Sequence, residues 1–251
     1  MLGPSESPRF TISIVLPAFN EEANIEQAMK TATEVADKLC ADHEILVVDD
    51  GSSDRTAALV TAAGAQDPRI KLLSHDVNRG YGEALRTGFT NAKMDLVFFT
   101  DADNQFDLYE LEAFLPFSQN VDVVAGYRIN RQDAPLRRLN AWGWNHLVRI
   151  AFYVPVRDID CAFKLFRREV FEKIDLESVG AMVNTELMVK VARQGGSVIE
   201  LGVRHYPRVG GSPRGAHPKV IARAFLELIR MRRRLRGYGP GSADRVRLNA
   251  R

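Results

Sequence analysis

Two periodicities alternate along the chain, and together they leave few architectures open. Short apolar runs at 11–16 (TISIVL), 44–48 (EILVV), 70–74 (IKLLS), 96–100 (LVFFT) and 121–125 (VDVVA) read as strands. Between them, segments 21–39, 54–64, 80–92 and 108–117 repeat their apolar residues at helical spacing. In 21–39 the residues Ile25, Ala28, Met29, Ala32, Val35, Ala36 and Leu39 share one side. Segment 54–64 stops at Gly64, a usual helix end. Strands apolar on both faces must be covered on both faces, so the pattern predicts an α/β fold: a mostly parallel central sheet with helices on either side. Such sheets bind ligands in the crevice outside the carboxyl ends of their strands. Function is therefore expected in the loops that follow the strands.

The polar residues gather in those loops. The first strand runs into Pro17-Ala18-Phe19-Asn20-Glu21-Glu22, the second into Asp49-Asp50-Gly51-Ser52-Ser53-Asp54, and the fourth into Asp101-Ala102-Asp103-Asn104-Gln105. Carboxylates crowded on one sheet edge repel each other unless a positive charge sits among them. A divalent cation meets that need, and Mg²⁺ or Mn²⁺ takes oxygen ligands while keeping room for phosphate and water. Asp101 and Asp103 at i and i+2 are the expected carboxylate ligands, with Gln105 as a neutral oxygen. Asp49 and Asp50 are expected to accept from a nucleobase or ribose. Asp54 is expected to cap the helix that follows it.

Composition narrows the class without choosing a chemistry. Apolar residues make up 45% and charged residues 26% of 251 positions, which excludes a disordered or fibrous chain. The net charge of +2 gives no global attraction to polyanions, and no nucleic-acid motif is present. Cys40 and Cys161 form no CxxC pair and are expected to be reduced thiols in a cytoplasmic setting. Residues 1–9 have no apolar stretch, so no secretory leader is expected. The longest apolar run, Ile150 to Val154, cannot cross a bilayer. Two segments nevertheless suit a membrane surface. Residues 219–236 hold seven basic residues and one acidic, with Ile221, Ala224, Phe225, Leu228 and Leu235 on one face. Residues 138–153 carry both tryptophans, Trp142 and Trp144. A single domain is expected over 1–236, with a donor half at about 10–127 and an acceptor half at 128–236, followed by a flexible tail at 237–251.

The motifs PAFNEE, VVDDGSSDRT, NRGYGEALRTGF and DADNQF, in this order and at strand ends, resemble those of the family-2 glycosyltransferases of the GT-A (Rossmann-like) fold. Within that family the chain is similar to the polyprenyl-phosphate sugar synthases, over about 10–236. The resemblance implies inverting transfer of a sugar from a UDP- or GDP-linked donor to a polyprenyl phosphate, with Mg²⁺ or Mn²⁺, by a peripheral protein on the inner face of the cell membrane. It implies that Pro17, Asn20, Glu21, Asp49, Asp50, Asp101 and Ala102 line the nucleotide-sugar pocket. Asp103, Gln105 and Asp101 would hold the metal. Arg128 and Arg138 would meet phosphate, Asp158 would lie near the reacting carbon, and Arg208 and Ser212 would belong to a loop over the diphosphate. The chain departs from the mannose-transferring branch at Pro213, where that branch has lysine, so the sugar stays open. Two other readings remain at this point: a family-2 enzyme using a soluble hydroxyl acceptor, and a non-catalytic nucleotide-sugar-binding subunit.

Overall fold

The computed structural model describes residues 10–129, 135–152, 154, 156–207 and 227–233, the side chains of 135–142 excepted. The chain alternates β1 (Thr11–Ala18), α1 (Ile25–Leu39), β2 (Asp42–Asp49), α2 (Thr56–Gln66), β3 (Ile70–Ser74), α3 (Tyr81–Asn91) and β4 (Leu96–Thr100). A single-turn helix α4 (Leu111–Phe114) leads to β5 (Val123–Ile129), α5 (Pro135–Phe152), β6 (Phe163–Arg167), α6 (Glu169–Lys173), α7 (Met182–Arg193) and β7 (Val198–Arg204). The seven strands form one sheet in the order β3-β2-β1-β4-β6-β5-β7. All neighbours are parallel except β6, which runs against both β4 and β5.

This topology concentrates the chemistry. The carboxyl ends of β1, β2, β4 and β5 lie on one sheet edge, and the reversal of β6 brings its amino-terminal loop to the same edge. Both faces of the central strands are buried, as the apolar runs require: Ile12, Ile14, Val97, Phe98 and Phe99 are all fully inaccessible. Phe163 of β6 packs edge-on to Phe98 of β4 at 4.7 Å and to Phe114 of α4 at 4.9 Å.

Several boundaries differ from the sequence reading, each for a local reason. The helix predicted at 21–39 begins at Ile25, because the amides of Glu21 and Glu22 are taken by Thr56 Oγ1 and Asp54 Oδ2. The helix predicted to stop at Gly64 continues to Gln66. Gly64 is needed for contact instead: a Cβ there would lie 2.8 Å from the Ile70 carbonyl. The helix predicted at 108–117 is broken into two 3-10 turns around α4, and Pro116, which lacks an N–H, sits at the start of the second. Asp54 does not occupy the cap position of α2, which is Arg55, yet its carboxylate accepts from the Thr56 amide at 2.9 Å and so serves that helix from one residue earlier. The strand predicted at 121–125 is Val123–Ile129, shifted toward the shared edge.

Of the segment 219–236, only 227–233 is described, and it is helical there. Leu228 and Met231 are buried against the protein, while Ile229 is half exposed and Arg230, Arg232 and Arg233 face outward. In α5, Val148 and Phe152 are buried and Trp144 is partly buried against the core, whereas Ile150 is exposed. Part of each apolar face expected to be free thus packs on the protein. The tail at 237–251 lies outside the described residues.

A buried carboxylate ties the opposite, amino-terminal edge of the sheet together. Glu44 is 1% exposed and accepts from Ser13 Oγ, Lys71 Nζ and the Lys93 amide, each at 2.7 Å. Burial works against its ionisation, but these hydrogen bonds outweigh burial and hold the carboxyl below its ordinary value. A carboxyl depressed in the fold contributes stability above its unfolded pKa, about 4.3, and that stability is lost as pH falls through the folded value. Glu44→Gln should therefore cost about 2 kcal/mol at neutral pH and progressively less in acid. Urea unfolding of both proteins across this range checks the prediction, and a pH-independent difference would contradict it.

Candidate active site

The loops after β1 and β2 are sewn to each other before any ligand arrives. Asn20 takes a left-handed backbone (φ 54°), which its short polar side chain tolerates. Its amide donates to Ser52 Oγ at 2.8 Å, and its Oδ1 accepts from the Ser53 amide at 2.8 Å. Glu21 accepts from Asn24 Nδ2 at 2.7 Å. Pro17 is buried within β1, paired opposite Val48 of β2. Asp49 ends β2, and its Oδ1 accepts from the Ser52 amide at 3.3 Å. These residues stand together where the loops after β1 and β2 meet.

Asp50 is spent on the protein. Its Oδ1 accepts from the Arg79 amide at 2.8 Å and faces His75 Nδ1 at 2.8 Å, and its Oδ2 accepts from the Gly80 amide at 2.9 Å. His75 also meets Thr87 Oγ1 at 2.9 Å. Asp50 thus shapes the turn into α3, a role that its place in the motif does not reveal.

The centre of the site is the loop after β4. Asp103 is buried, Asp101 half-buried, and Ala102 packs between them. Burial, reinforced by the negative charge of Asp103, pushes the Asp101 carboxyl up to about 7, against the opposing pull of Tyr81, Arg128 and Lys164. Tyr81 Oη donates to Asp101 Oδ1 at 2.9 Å. Burial of that hydroxyl, then the Asp101 charge, pushes the phenol well above its usual range. Asp103 Oδ1 accepts from the Gln105 amide at 3.2 Å. Gln105 gives its side-chain N–H to the Tyr206 carbonyl at 2.9 Å, so Oε1 is the one side-chain atom it could offer a cation.

Two poorly solvated, mutually repelling carboxylates fit a divalent cation. Among the described residues no group of three or more His, Cys, Asp or Glu side chains could hold an ion unaided. The pair would therefore need oxygens from outside the chain, which is how Mg²⁺ and Mn²⁺ usually bind to diphosphates.

At the same sheet edge stands a second charged pair, close enough for Arg128 to oppose the upward push on Asp101. Arg128, at the end of β5, grips Asp158 with two parallel bonds, Nε to Oδ2 at 2.6 Å and Nη2 to Oδ1 at 2.7 Å, and its own amide adds a third at 3.2 Å. Asp158 lies in the loop before β6. That loop is fastened from α5, where Asn145 Oδ1 accepts from the Ile159 amide at 3.1 Å, and from below by Lys164. Lys164 is wholly buried and donates to the carbonyls of Ile159 (3.0 Å) and Cys161. Burial lowers its pKa, with Cys161, Asp158 and Asp160 opposing. The thiols of Cys40 and Cys161 are pushed up by burial, to about 11 and about 12.

Sequence reasoning did not single out Tyr81 or Lys164. A lysine in the middle of the apolar run FKLF was the available signal for one, and a tyrosine flanked by two glycines for the other. The side chain of Arg138, and Arg208 and Ser212 entirely, lie outside the described residues.

Comparison with known proteins gives a consistent picture. The family model described as glycosyl transferase family 2 matches residues 13–175. The undecaprenyl-phosphate 4-deoxy-4-formamido-L-arabinose transferase of Pectobacterium atrosepticum is 31% identical over 218 residues, which cover 84% of this chain and 64% of that protein. Glycosyltransferase AglD of Haloferax volcanii is 33% identical over 78% of this chain and 33% of its own length. The chain thus spans less than two thirds of these relatives. Among solved structures, mannosyl-3-phosphoglycerate synthase from Rubrobacter xylanophilus superposes with a TM-score of 0.68 at 22% identity, over 92% of this chain and 75% of that one. Glucosyl-3-phosphoglycerate synthase from Mycobacterium tuberculosis, in complex with Mn²⁺, UDP and phosphoglyceric acid, gives 0.65 at 23% identity, over 89% and 78%.

The Arg128–Asp158 pair is nearly buried, so removing one partner strands the other's charge. Arg128→Met should cost about 3–5 kcal/mol of unfolding free energy, and Asp158→Asn in the same chain should recover part of it. Denaturant unfolding of both single variants and the double variant measures the coupling; strictly additive losses would contradict this account.

Proposed function

The chain belongs to glycosyl transferase family 2, and from that premise we propose that it moves a sugar from a nucleoside-diphosphate donor to a polyprenyl phosphate. The observation that carries the reading is the crowded Asp101–Asp103 pair at the carboxyl end of β4, with the Arg128–Asp158 pair at the same sheet edge. The relatives named as undecaprenyl-phosphate sugar transferases support the acceptor class, and the solved neighbour that binds Mn²⁺ and UDP supports the donor and the metal.

In this reading Asp101 and Asp103, with Oε1 of Gln105, hold Mg²⁺ or Mn²⁺. When bound, the metal neutralises the diphosphate and makes it a better leaving group. Asn20, Glu21 and Asp49 line the nucleotide end, where the stitched loops leave little to reorganise on binding. An oxygen of the acceptor phosphate attacks the anomeric carbon from the face opposite the leaving group. The new carbon–oxygen bond forms as the bond to the β-phosphate breaks, and the nucleoside diphosphate departs with the electron pair.

No proton need move, because a phosphate monoester is largely dianionic at neutral pH, its second pKa being about 6. That suits Asp158. A carboxylate held by both arms of Arg128 is a poor proton acceptor, and its role here is to position the acceptor beside the guanidinium rather than to act as a base. Attachment to the membrane is through the exposed residues Ile150, Ile229, Arg230, Arg232 and Arg233, on the inner face.

The test is transfer of labelled sugar from UDP-hexoses to a polyprenyl phosphate in detergent with Mn²⁺. Lipid-phosphate-dependent product is expected with at least one donor, and Asp103→Ala should lower kcat/KM by on the order of a hundredfold or more. Transfer only to soluble hydroxyl acceptors would overturn the lipid assignment. In flotation, the protein should rise with anionic liposomes and less so after Arg230, Arg232 and Arg233 are changed to Gln, each Arg contributing about 1 kcal/mol near such a surface. Protein that stays at the bottom with both anionic and neutral vesicles would contradict peripheral attachment.

A further inference from the structure

The half-buried tyrosine beside the acidic pair has no place in the chemistry above, and it is held more firmly than packing requires. Tyr81 opens α3 between Gly80 and Gly82. Gly80 has φ 105°, and a Cβ on it would lie 2.4 Å from the Val179 carbonyl oxygen. A Cβ on Gly82 would lie 1.9 Å from the Ser178 carbonyl oxygen, and the Gly82 amide donates to Val179 O at 2.9 Å. Only glycines allow the first turn of α3 to press this closely on the 178–179 backbone.

That backbone is itself anchored. Glu186 of α7 accepts the amides of Glu177 at 3.1 Å and Ser178 at 2.7 Å, and Lys190 pairs with it at 2.7 Å. Tyr81 is thus fixed to α7 through the 176–180 loop. A hydroxyl removed from water must find a partner, and the Tyr81 hydroxyl finds Asp101, donating to Oδ1 at 2.9 Å. Asn184 of α7 stands near the same hydroxyl and counters the upward push on it. Because the Tyr81 hydrogen goes to Asp101, Asn184 can serve that oxygen only as a donor, through Nδ2. Consistent with that orientation, Asn184 Oδ1 is buried and has no partner among the described residues.

We propose that Tyr81, oriented by Asn184, is a positioning residue that fixes the rotation of the Asp101 carboxylate so that Oδ2 is presented to the metal–diphosphate. Oδ1 is occupied by the tyrosine, and Oδ2 carries no protein hydrogen bond among the described residues. Without the phenol hydroxyl the carboxylate rotates freely and faces Asp103 in several arrangements, most of them unsuited to a shared ion. The inference rests on the metal-dependent transferase reading above.

The experiment compares wild type, Tyr81→Phe and Asn184→Leu for binding of Mn²⁺ in the presence of UDP, followed by the loss of the free-ion electron paramagnetic resonance signal. Tyr81→Phe keeps the ring and should melt within a few degrees of wild type. It should raise the half-saturating Mn²⁺ concentration roughly tenfold, the usual effect of losing an outer partner of a metal ligand. Asn184→Leu should shift it in the same direction by less. UDP affinity measured in chelator should be unchanged in both variants, a readout that a general loosening of the fold would move. Wild-type metal binding in a folded Tyr81→Phe protein overturns the inference, as does an equal loss of metal-free UDP binding. If Tyr81→Phe does not fold, Asn184→Leu decides by the same criteria. A wild-type protein that binds no Mn²⁺ with UDP would instead overturn the transferase reading itself.

Discussion

Repulsion between Asp101 and Asp103 organises the working edge of this protein. The two carboxylates follow a fully buried strand, so they begin with little water around them, and the charge of Asp103 makes Asp101 harder to ionise. The fold brings compensation from two sides, from Arg128 at the end of β5 and from Lys164 inside β6. Neither hydrogen-bonds to Asp101 among the described residues, and the carboxyl of Asp101 still sits far above its usual range. Residual negative charge of this kind is what a divalent cation carrying a diphosphate would satisfy. The same edge is unusually well braced, by the Asn20–Ser53 stitch on one side and the Asp158 clamp on the other.

The braces also explain why β6 runs backwards. A parallel strand in that position would place the 157–162 loop at the far edge of the sheet. Reversal sets Asp158 beside Arg128 and puts Lys164 under the loop, where its ammonium gathers the carbonyls of residues 159 and 161. A buried lysine is costly unless its donors are used, and here they hold a loop that the site depends on. The aromatic packing of Phe163 on Phe98 and Phe114 fastens the reversed strand to β4 and α4.

Much of this was legible in the residues. Strands at 70–74 and 96–100 match the apolar runs to the residue, and the three polar loops do meet on one edge, because strand polarity alone dictates it. Features set by packing beyond the apolar periodicity were not legible. Gly64 looked like a helix end and is a contact with residue 70. The broken helix around Pro116 has normal helical spacing on either side. Asp50 belongs to a motif suited to ligand binding, yet both its oxygens serve the turn at 79–80, and no local pattern distinguishes it from Asp49. Leu228 reads as part of a free apolar face and is buried by the core.

The central claim is that Asp101 and Asp103 jointly hold a metal–nucleotide diphosphate at the carboxyl end of β4. Its most direct test is a crystal structure of the wild-type protein soaked with Mn²⁺ and UDP, with anomalous data collected near the manganese edge. The account predicts one strong anomalous peak bridging Asp101 Oδ2, a carboxylate oxygen of Asp103 and the diphosphate, with the uridine against the loops after β1 and β2. A nucleotide bound there without an anomalous peak, or a peak away from both aspartates, would contradict it.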